Sequence, residues 1–201
     1  MGKASAYHHG DLRAELVRVA TEKLINEGPE ALTLRGLSAQ LNVSRTAPYR
    51  HFKDKNELMC AIAREGFRLF ALSLQQAWEH HAQLGTVERF KAVGQAYIHF
   101  SLDNPAHYQL MFGTSELLRN PNDSLKAEAD GSFLQLRKIL EYGQQQGVFT
   151  LEDSLLQARF VWSSMHGYCS IVAAQEEAKS KSMLEESAYF IDKIVDAIKA
   201  K

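Results

Sequence analysis

The residue types with the clearest chemistry are the hydrogen-bond donors of one short run. Between residues 44 and 55 the chain reads Ser-Arg-Thr-Ala-Pro-Tyr-Arg-His-Phe-Lys-Asp-Lys. An arginine can donate two bonds to guanine, and a threonine methyl can pack against thymine, so both residue types read base edges. Tyrosine, histidine and lysine bond phosphate oxygens, which fixes the register of a protein on DNA without reading sequence. The run is therefore predicted to contact DNA.

Two short helices joined by a tight turn are predicted to position this run. The first helix covers residues 34–41, and Thr33 precedes it as a cap for its free N–H groups. Asn42 and Val43 form the turn, because Asn tolerates a left-handed backbone and Val43 supplies an apolar side chain between the helices. Ser44 is then expected to cap the second helix.

The second helix, residues 44–52, is predicted to lie in the major groove, as in helix-turn-helix proteins. Ala47 and Phe52 can turn toward the first helix, and Pro48 falls near the first turn, where a missing N–H is tolerated. The side chains left on the outer surface are Arg45, Thr46, Tyr49, Arg50 and His51, followed by Lys53 and by Lys55 at the start of the next helix. An ordinary amphipathic hairpin with solvated basic residues is the competing interpretation.

The same stretch resembles a known family. A long N-terminal helix, then L-T-L-R-G-L-S-A-Q-L-N-V-S and a short helix ending Y-R-H-F-K-D-K-N-E-L, is similar to the TetR family of bacterial transcriptional repressors. The similarity covers about residues 7–59 at the level of motifs. It implies an N-terminal three-helix DNA-binding domain, placed at residues 1–54, and a helical effector-binding and dimerisation domain at residues 55–201.

The resemblance also implies a role for each residue of the motif. Thr33 and Arg35 would meet the DNA backbone from the first helix. The residues that would face bases are Arg45, Thr46, Ala47 and Arg50, and those that would contact phosphates are Tyr49, His51 and Lys55. Pro48 departs from the family pattern, in which many members have an aliphatic residue there. Base contacts vary among members, so no operator sequence is implied.

A second signature lies in the C-terminal half of the chain. Trp162, His166 and Gly167 occur within W-S-S-M-H-G. They match the Trp-His-Gly signature that names one type of C-terminal domain in this family. The resemblance thus implies a particular subtype of sensor domain.

Composition bounds the class of protein. The chain has 201 residues, 45% of them hydrophobic, and a net charge of −1. Residues 1–54 hold eight Lys and Arg against six Asp and Glu, so they carry +2 and the remainder −3. This mild split fits a DNA module joined to a neutral sensor better than a non-specific polyanion binder. Since there is neither an apolar run of about 18 residues nor a secretory signal, we expect a cytoplasmic protein.

Helical periodicity recurs almost throughout and strand signals are absent, so we predict an all-α chain of about nine helices. The first ends at Gly28, and the fourth begins at Asp54 and runs from the DNA module into the sensor. Residues 113–131 are predicted to be the loosest segment and a candidate entrance for a ligand. Helices 8 and 9 should cover about residues 152–177 and 183–199.

An aromatic and methionine-rich set is the predicted lining of a ligand cavity. Such a lining suits an apolar ligand with a few polar handles, although each member is also a plausible plain core residue. The set comprises Tyr97, Phe100, Tyr108, Met111, Phe112, Phe133, Leu136, Leu140, Trp162, Met165, His166 and Cys169. His166 can bond an effector or satisfy a buried neighbour.

Helices 8 and 9 each carry a stripe that can face a second subunit. The stripe on helix 8 comprises Phe160, Ser164, Gly167, Ile171 and Ala174, and that on helix 9 comprises Leu184, Ala188, Ile191, Val195 and Ile198. Both stripes can instead pack inside one chain. Because helix-turn-helix dimers span half-sites about 34–36 Å apart, we predict a homodimer through these helices.

Other chemistry has little support. Five histidines between residues 80 and 166 form no ligand pair at a usual metal spacing, so we predict neither a metal site nor a cofactor. Cys60 and Cys169 lie too far apart in sequence to indicate a disulfide framework. No Ser-His-Asp, paired-carboxylate or phosphate-loop signature appears, so we do not expect an enzyme.

The leading hypothesis is a dimeric repressor that binds a palindromic DNA operator. A small apolar or amphipathic effector would enter the sensor and shift the fourth helix, which releases the protein from DNA. The alternative keeps DNA binding but places a partner protein on the sensor surface, and a filled, cavity-free core would favour it. A third hypothesis, a small-molecule-processing enzyme, needs titratable groups that converge inside the pocket. No membrane role is predicted.

Overall fold

The computed structural model describes residues 12–113, 117, 121–172 and 181–201, and the side chains of all these except residues 181–184. This part of the chain is all-α, as predicted, with eight α-helices and two short 3₁₀ turns at Pro29–Ala31 and Pro48–Arg50. The helices are α1 (Leu12–Glu27), α2 (Leu34–Gln40), α3 (Lys55–His80), α4 (Thr86–Asp103), α5 (Pro105–Phe112), α6 (Asp123–Gln145), α7 (Ser154–Val172) and α8 (Lys181–Ile198).

Helix α1 supports the DNA-binding module through one apolar face. Its buried residues recur every three or four positions, and they are Leu12, Leu16, Val19, Ala20 and Leu24. The opposite face is charged, and Arg18 forms ion pairs with Glu15 and Glu22 there. The helix ends at Gly28, whose φ of 79° is the left-handed conformation that glycine adopts without strain. The predicted end of the first helix is confirmed.

The turn after α2 forms as the residue types predict. The Thr33 hydroxyl accepts a bond from the Gly36 N–H at 3.0 Å and caps the helix. Asn42 has a φ of 52°, and Val43 donates its N–H to the Ser38 carbonyl while its side chain packs on the core. These bonds satisfy carbonyls at the C-terminus of α2, so the chain reverses without leaving them unpaired.

The segment after the turn is helical but tighter than the α-helix predicted for residues 44–52. Ala47 and Arg50 each donate to the carbonyl three residues earlier, at 2.9 and 3.2 Å. Pro48 explains the difference, because it has no N–H to donate to Ser44 and so favours 3₁₀ turns. The predicted cap also differs, since the Ser44 hydroxyl pairs with the Thr46 hydroxyl at 3.3 Å.

Helix α3 is a rod of 26 residues, about 39 Å long. The Asp54 carboxylate caps it by accepting from the Glu57 N–H at 2.8 Å, and the Glu57 carboxylate accepts from the Lys53 N–H at 2.7 Å. Its buried face packs against α1 near its start and against α4, α5 and α6 further along. One rigid element therefore contacts both halves of the molecule, as predicted.

The prediction that residues 113–131 form the loosest segment of the chain is partly wrong. Helix α6 begins at Asp123, because the Asn122 side chain accepts from the Leu125 N–H at 2.9 Å and caps the helix. Leu117 is buried, and residues 114–116 and 118–120 lie outside the described part. Helix α7 is described to Val172, and residues 173–177, to which the prediction extended it, lie outside the described part.

The C-terminus is tied to the loop between α6 and α7. Thr150 donates its N–H to the Ile198 carbonyl at 2.7 Å, and Ala200 donates to the Val148 carbonyl at 3.0 Å. Between them Phe149 is buried against Gly143 of α6. Among the described residues, no helix is both long and apolar enough to cross a membrane.

Candidate functional site

The first candidate site is the surface formed by α2 and the turns that follow it. Most of its predicted contact residues are exposed, namely Thr33, Arg35, Ser44, Arg45, Thr46, Tyr49, Arg50 and Lys53. Ala47, His51 and Lys55 are half-buried. Arg45, Thr46, Tyr49 and Arg50 are therefore exposed within one six-residue segment, and exposure of such donors is what base and phosphate contacts require.

Buried anchors hold this surface in place. Pro48 and Phe52 are buried, and the Arg13 guanidinium of α1 lies 5.0 Å from the centre of the Phe52 ring. Proline thus serves both as the helix-tightening residue and as a core contact, an inward role that was not predicted from sequence. The exposed donors project from a segment whose opposite side is fixed to the core.

Lys55 has a partner within the chain. Its ammonium donates to the Pro29 carbonyl at 2.6 Å and so ties the turn after α1 to the start of α3. This bond uses one of three ammonium donors. The expected phosphate contact of Lys55 stays a prediction, and Lys53 is the exposed lysine of the pair.

The second candidate site is a cavity of about 370 Å³ lined by residues of α3, α4, α5, α6, α7 and α8. Eight of the predicted lining residues border it, and they are Tyr97, Met111, Phe112, Phe133, Leu136, Trp162, Met165 and His166. A volume of this size is within the range of small-molecule sites, and the surface is mainly apolar.

Four predicted lining residues do not border the cavity. Leu140 is fully buried in the core, and Phe100 packs behind the cavity against the Phe70 ring, with 5.2 Å between centroids. Tyr108 and Cys169 lie behind His166 and contact each other. Periodicity places all four on inward faces, but it does not distinguish a face that meets another side chain from one that meets empty space.

The prediction also missed part of the lining. The additional residues are Phe67, Phe70, Leu74, Phe90, Val93, Gly94, Ala129, Asp130, Ser132, Val161, Ile191 and Ile194. Three of them belong to α3, so the rod that carries the DNA-binding turn also forms a wall of the cavity. The apolar face of α3 was visible in the sequence, but its place beside the cavity was not.

A chain of polar groups lies along one wall. The Tyr108 hydroxyl is 2.8 Å from His166 Nδ1 and 3.4 Å from the Tyr97 hydroxyl. Burial raises the pKa of both phenols, so both keep their protons. Burial lowers the pKa of His166 below its ordinary value of 6.5, so the imidazole is neutral at pH 7. The chain therefore consists of neutral donors and acceptors.

The cavity carries little charge. Asp130 is the one charged residue among the described lining residues, and it is exposed at the edge. The thiol of Cys169 beside the polar chain is buried, which raises its pKa to about 11 and keeps it protonated. Within the described ranges, no three His, Cys, Asp or Glu side chains converge as metal ligands would.

The predicted dimer stripe on α8 is corrected by the structure. Ile191, Val195 and Ile198 are buried inside their own subunit, and Ile191 packs against Gly94 of α4. These side chains cannot also face a partner, because the seam they form is filled by the same chain. Ala188 is exposed. Ala174 and the Leu184 side chain lie outside the described residues.

The stripe on α7 faces outward. Phe160 is 46% exposed and Ile171 is 67% exposed, while Ser164 and Gly167 between them are half-buried with open space beside the glycine. Leu156, one turn before Phe160, extends the stripe and was not predicted; it is 60% exposed. Large apolar side chains in one exposed row are typical of a protein–protein contact.

Comparison with known proteins agrees with this architecture. Residues 16–62 match the model of bacterial regulatory proteins of the tetR family, and residues 90–196 match the tetracyclin repressor-like C-terminal domain. An uncharacterized HTH-type transcriptional regulator of Bacillus subtilis, YobS, is 21% identical over 88% of this chain and 86% of its own length. The nucleoid occlusion factor SlmA of Aliivibrio fischeri is 26% identical over 80% of this chain and 83% of its own.

A solved structure shares the fold. A bacterial regulatory protein of the tetR family from Rhodococcus RHA1 superposes with a TM-score of 0.71 at 22% identity, covering 94% of this chain and 97% of that one. The chain belongs to the TetR family of DNA-binding transcriptional regulators.

Proposed function

We propose that the protein is a repressor that binds a palindromic operator as a homodimer and is released by a small molecule. The observation that carries the proposal is the course of α3. The helix starts beside the exposed donors of residues 44–53, and Phe67, Phe70 and Leu74 further along it border the cavity. A ligand that displaces these side chains moves the rod that supports the DNA-binding turns.

We assign the direct reading of bases to Arg45, Thr46 and Arg50, with Ala47 at the edge of the same surface. The contacts to the DNA backbone fall to Thr33, Arg35, Ser44, Tyr49, His51, Lys53 and Lys55. The exposure of both arginines and the tyrosine supports this division, because a groove contact requires the side chain to be free of the core. Residues 1–54 act as the DNA-binding domain and residues 55–201 as the sensor.

The proposed dimer forms through the outer faces of α7 and α8. Leu156, Phe160 and Ile171 of α7 are exposed, and so are Ala188 and Tyr189 of α8. An apolar stripe on a pair of helices can be covered by the same stripe of a second copy related by a two-fold axis. Two DNA-binding surfaces related by that axis can reach half-sites about 34–36 Å apart.

In this mechanism the ligand stabilises a conformation of the dimer in which the distance between the two DNA-binding surfaces no longer matches the spacing of the half-sites. If ligand binding lowers the affinity of the protein for DNA, DNA binding must lower the affinity of the protein for the ligand. The two factors are equal, and they are typically 5–150-fold. Coupling of this kind is tested by titrating a ligand with and without operator. Equal ligand affinity in both titrations would contradict a ligand-released repressor.

The DNA-binding part is tested by selecting sites from random duplex DNA with the full-length protein. We expect an enriched palindrome whose two halves are about one helical turn apart, and a gel shift by a species with two subunits. Failure to enrich any sequence at low salt, with retention of random DNA only, would contradict the proposal.

A second candidate function is control by a protein partner in place of a small ligand. The similarity to a nucleoid occlusion factor is the observation that favours it. A filled core would support it, whereas the structure contains a cavity of about 370 Å³, so we prefer the small ligand.

We also propose that the C-terminal domain belongs to the Trp-His-Gly subtype, because Trp162 and His166 of that signature both line the cavity.

A further inference from the structure

The basic side chains of residues 12–55 divide according to their partners. On α1, Arg18 and Lys23 are each in a salt bridge with a glutamate of the same helix. Lys55 donates to a backbone carbonyl. The others have no acidic partner among the described residues, and they are Arg13, Arg35, Arg45, Arg50 and Lys53. Four of these five are proposed to contact DNA, which leaves Arg13.

Arg13 is held at the end of the DNA-reading segment, although it belongs to α1. Its Cζ lies 5.0 Å from the centre of the Phe52 ring. Phe52 is only 1% exposed, and it stands in the chain between His51 and the exposed Lys53. Both of these neighbours are assigned to the DNA backbone. The fold thus brings a further cation of α1 beside the part of the segment that is proposed to contact phosphates.

The stacked geometry leaves the hydrogen-bond donors of Arg13 usable. A guanidinium has five N–H donors, and all lie in its plane. Stacking on a ring uses the face of that plane and leaves its edges open. The side chain is exposed, and its donors have no acceptor among the described residues. The ring also restricts the side chain, so less conformational entropy is lost when the guanidinium binds an anion.

We propose that Arg13 contacts a backbone phosphate of the operator, at the end of each half-site that His51 and Lys53 contact. Phe52 is the positioning residue, because its ring holds the guanidinium beside the DNA-reading segment. Helix α1 is then part of the DNA-binding surface as well as its support. The contact reads no sequence, since every nucleotide presents the same phosphate. This inference rests on the operator binding of the proposed function and adds a contact to it.

The salt dependence of DNA binding tests the contact in the full-length protein. Arg13→Gln removes the charge and keeps much of the aliphatic stem. Each phosphate contact that is lost lowers the slope of log K against log salt by about 0.9, and a dimer loses two. The ratio of wild-type to variant affinity should therefore be about tenfold larger at 50 mM than at 200 mM salt. Operator and random duplex should be affected alike, and fluorescence anisotropy measures both.

Arg18→Gln is the matched control. It lies in the same helix and changes the net charge by the same amount, but its guanidinium is already paired with Glu15 and Glu22. Its salt slope should equal that of the wild type. Arg13→Lys keeps the charge, so the slope should be retained, with affinity about threefold lower because an ammonium lacks the planar face that stacks on the ring. Circular dichroism checks that each variant keeps its helices.

A scan with neutral phosphates locates the contact. Operators that carry a single methylphosphonate are compared, one position of the half-site at a time. At one position the substitution should weaken the wild type by about tenfold and Arg13→Gln by less than about twofold, because both changes remove the same interaction. Phe52→Leu keeps an apolar side chain in the core without a ring. It should reduce the effect at that position by about threefold and keep the effects at the other phosphates.

An unchanged salt slope in Arg13→Gln would overturn the proposal. Equal slope losses in Arg13→Gln and Arg18→Gln would also do so, since they would reflect net charge alone. So would a scan in which every position weakens Arg13→Gln as much as the wild type.

The outcome for the proposed function is separate, because random duplex is sufficient to measure the slopes. A reduced slope in Arg13→Gln of a protein that selects no palindrome would leave the phosphate contact standing and remove the proposed repressor. A selected palindrome with an unchanged slope would do the reverse.

Discussion

Arg45 and Lys53 lie on the same exposed surface but should act on different parts of the duplex. An arginine that bonds guanine O6 and N7 discriminates between bases, whereas a lysine that pairs with a phosphate releases counterions from any sequence. The structure exposes both side chains.

Arg45→Ala should therefore weaken binding to the selected operator by about 1–3 kcal/mol and relax base preference at one position of each half-site. Lys53→Ala should weaken operator and random DNA alike and reduce the slope of log K against log salt by about 1 per subunit. Both are measured by fluorescence anisotropy over a salt series. Equal losses on operator and random DNA for Arg45→Ala would contradict the assignment to bases.

His107 of α5 is a buried histidine whose Nε2 has no hydrogen-bond partner among the described residues. Burial lowers its pKa below 6.5, and the nearby Glu65 carboxylate opposes that shift only in part. The unfolded chain therefore binds more protons than the folded chain between the lowered pKa and 6.5. The free energy of unfolding should be steady above about pH 6.5 and should fall as the pH drops below it. His166, whose pKa is lowered in the same direction, adds to this loss.

His107→Leu should reduce the dependence of stability on pH between 6.5 and 5, because the apolar side chain has no proton to gain. Urea unfolding at a series of pH values measures the effect, and each proton taken up contributes at most about 1.4 kcal/mol per pH unit. His99→Leu alters an exposed histidine of α4 and controls for the loss of any histidine. An unchanged pH slope in His107→Leu would show that His107 is not the group that titrates.

Helix α6 offers a comparison of two glycines within one element. Gly143 lies against the buried Phe149 ring, and a Cβ there would overlap it, whereas no atom of the described residues lies within 4 Å of a Cβ placed at Gly131. Both are in the helical interior, where alanine is intrinsically favoured over glycine. Whether alanine raises or lowers the free energy of unfolding is thus set by the neighbouring side chain and not by the helix.

Gly143→Ala should lower the free energy of unfolding by about 1–3 kcal/mol through overpacking. Gly131→Ala should raise it by up to about 1 kcal/mol. Thermal unfolding of the two variants beside the wild type gives the comparison, with about 2–4 °C expected per kcal/mol for a chain of this size. A stabilised Gly143→Ala would mean that Phe149 moves aside readily.

The same helix shows why the element boundaries were only partly predictable. Small polar residues and Asn120-Pro121-Asn122 favour a loop, yet Asn122 is also a good N-cap, and local sequence does not choose between these roles. Burial of Leu125 and Ser132 against neighbouring helices favours the helix. The tight turns at Pro48, in contrast, follow from the missing N–H and could have been derived from sequence alone.

At the scale of the whole molecule, the stripe of α7 is an exposed apolar surface that we propose a second subunit covers. Phe160→Glu places a charge at its centre, so a dimer formed through α7 should dissociate at concentrations where the wild type stays dimeric. Sedimentation velocity measures the change, and circular dichroism checks that the fold is kept. Leu84→Glu, at an exposed leucine between α3 and α4, is the matched control and should leave the oligomeric state unchanged.

A monomeric wild type would contradict the dimer altogether, and a dimeric Phe160→Glu would move the interface away from α7. Loss of the dimer should also lower affinity for the full palindrome far more than for one half-site, because two linked contacts bind with a raised effective concentration.

The amino-acid sequence by itself determined the helical class, the helix-turn-helix and its exposed donors, and the capping at Thr33, Asn42 and Asp54. These features depend on residues a few positions apart, so periodicity and backbone chemistry are sufficient to derive them. The aromatic and methionine-rich set likewise included Trp162 and His166, which do line the cavity.

Only the tertiary structure decided which inward faces meet each other and which meet empty space. Ile191 and Phe160 have the same apolar character and similar helical spacing, yet one is buried against Gly94 and the other is exposed. Leu140 and Leu136 lie one turn apart, yet only Leu136 borders the cavity. The difference arises because packing depends on the shape of distant elements, which a local pattern of residue types does not contain.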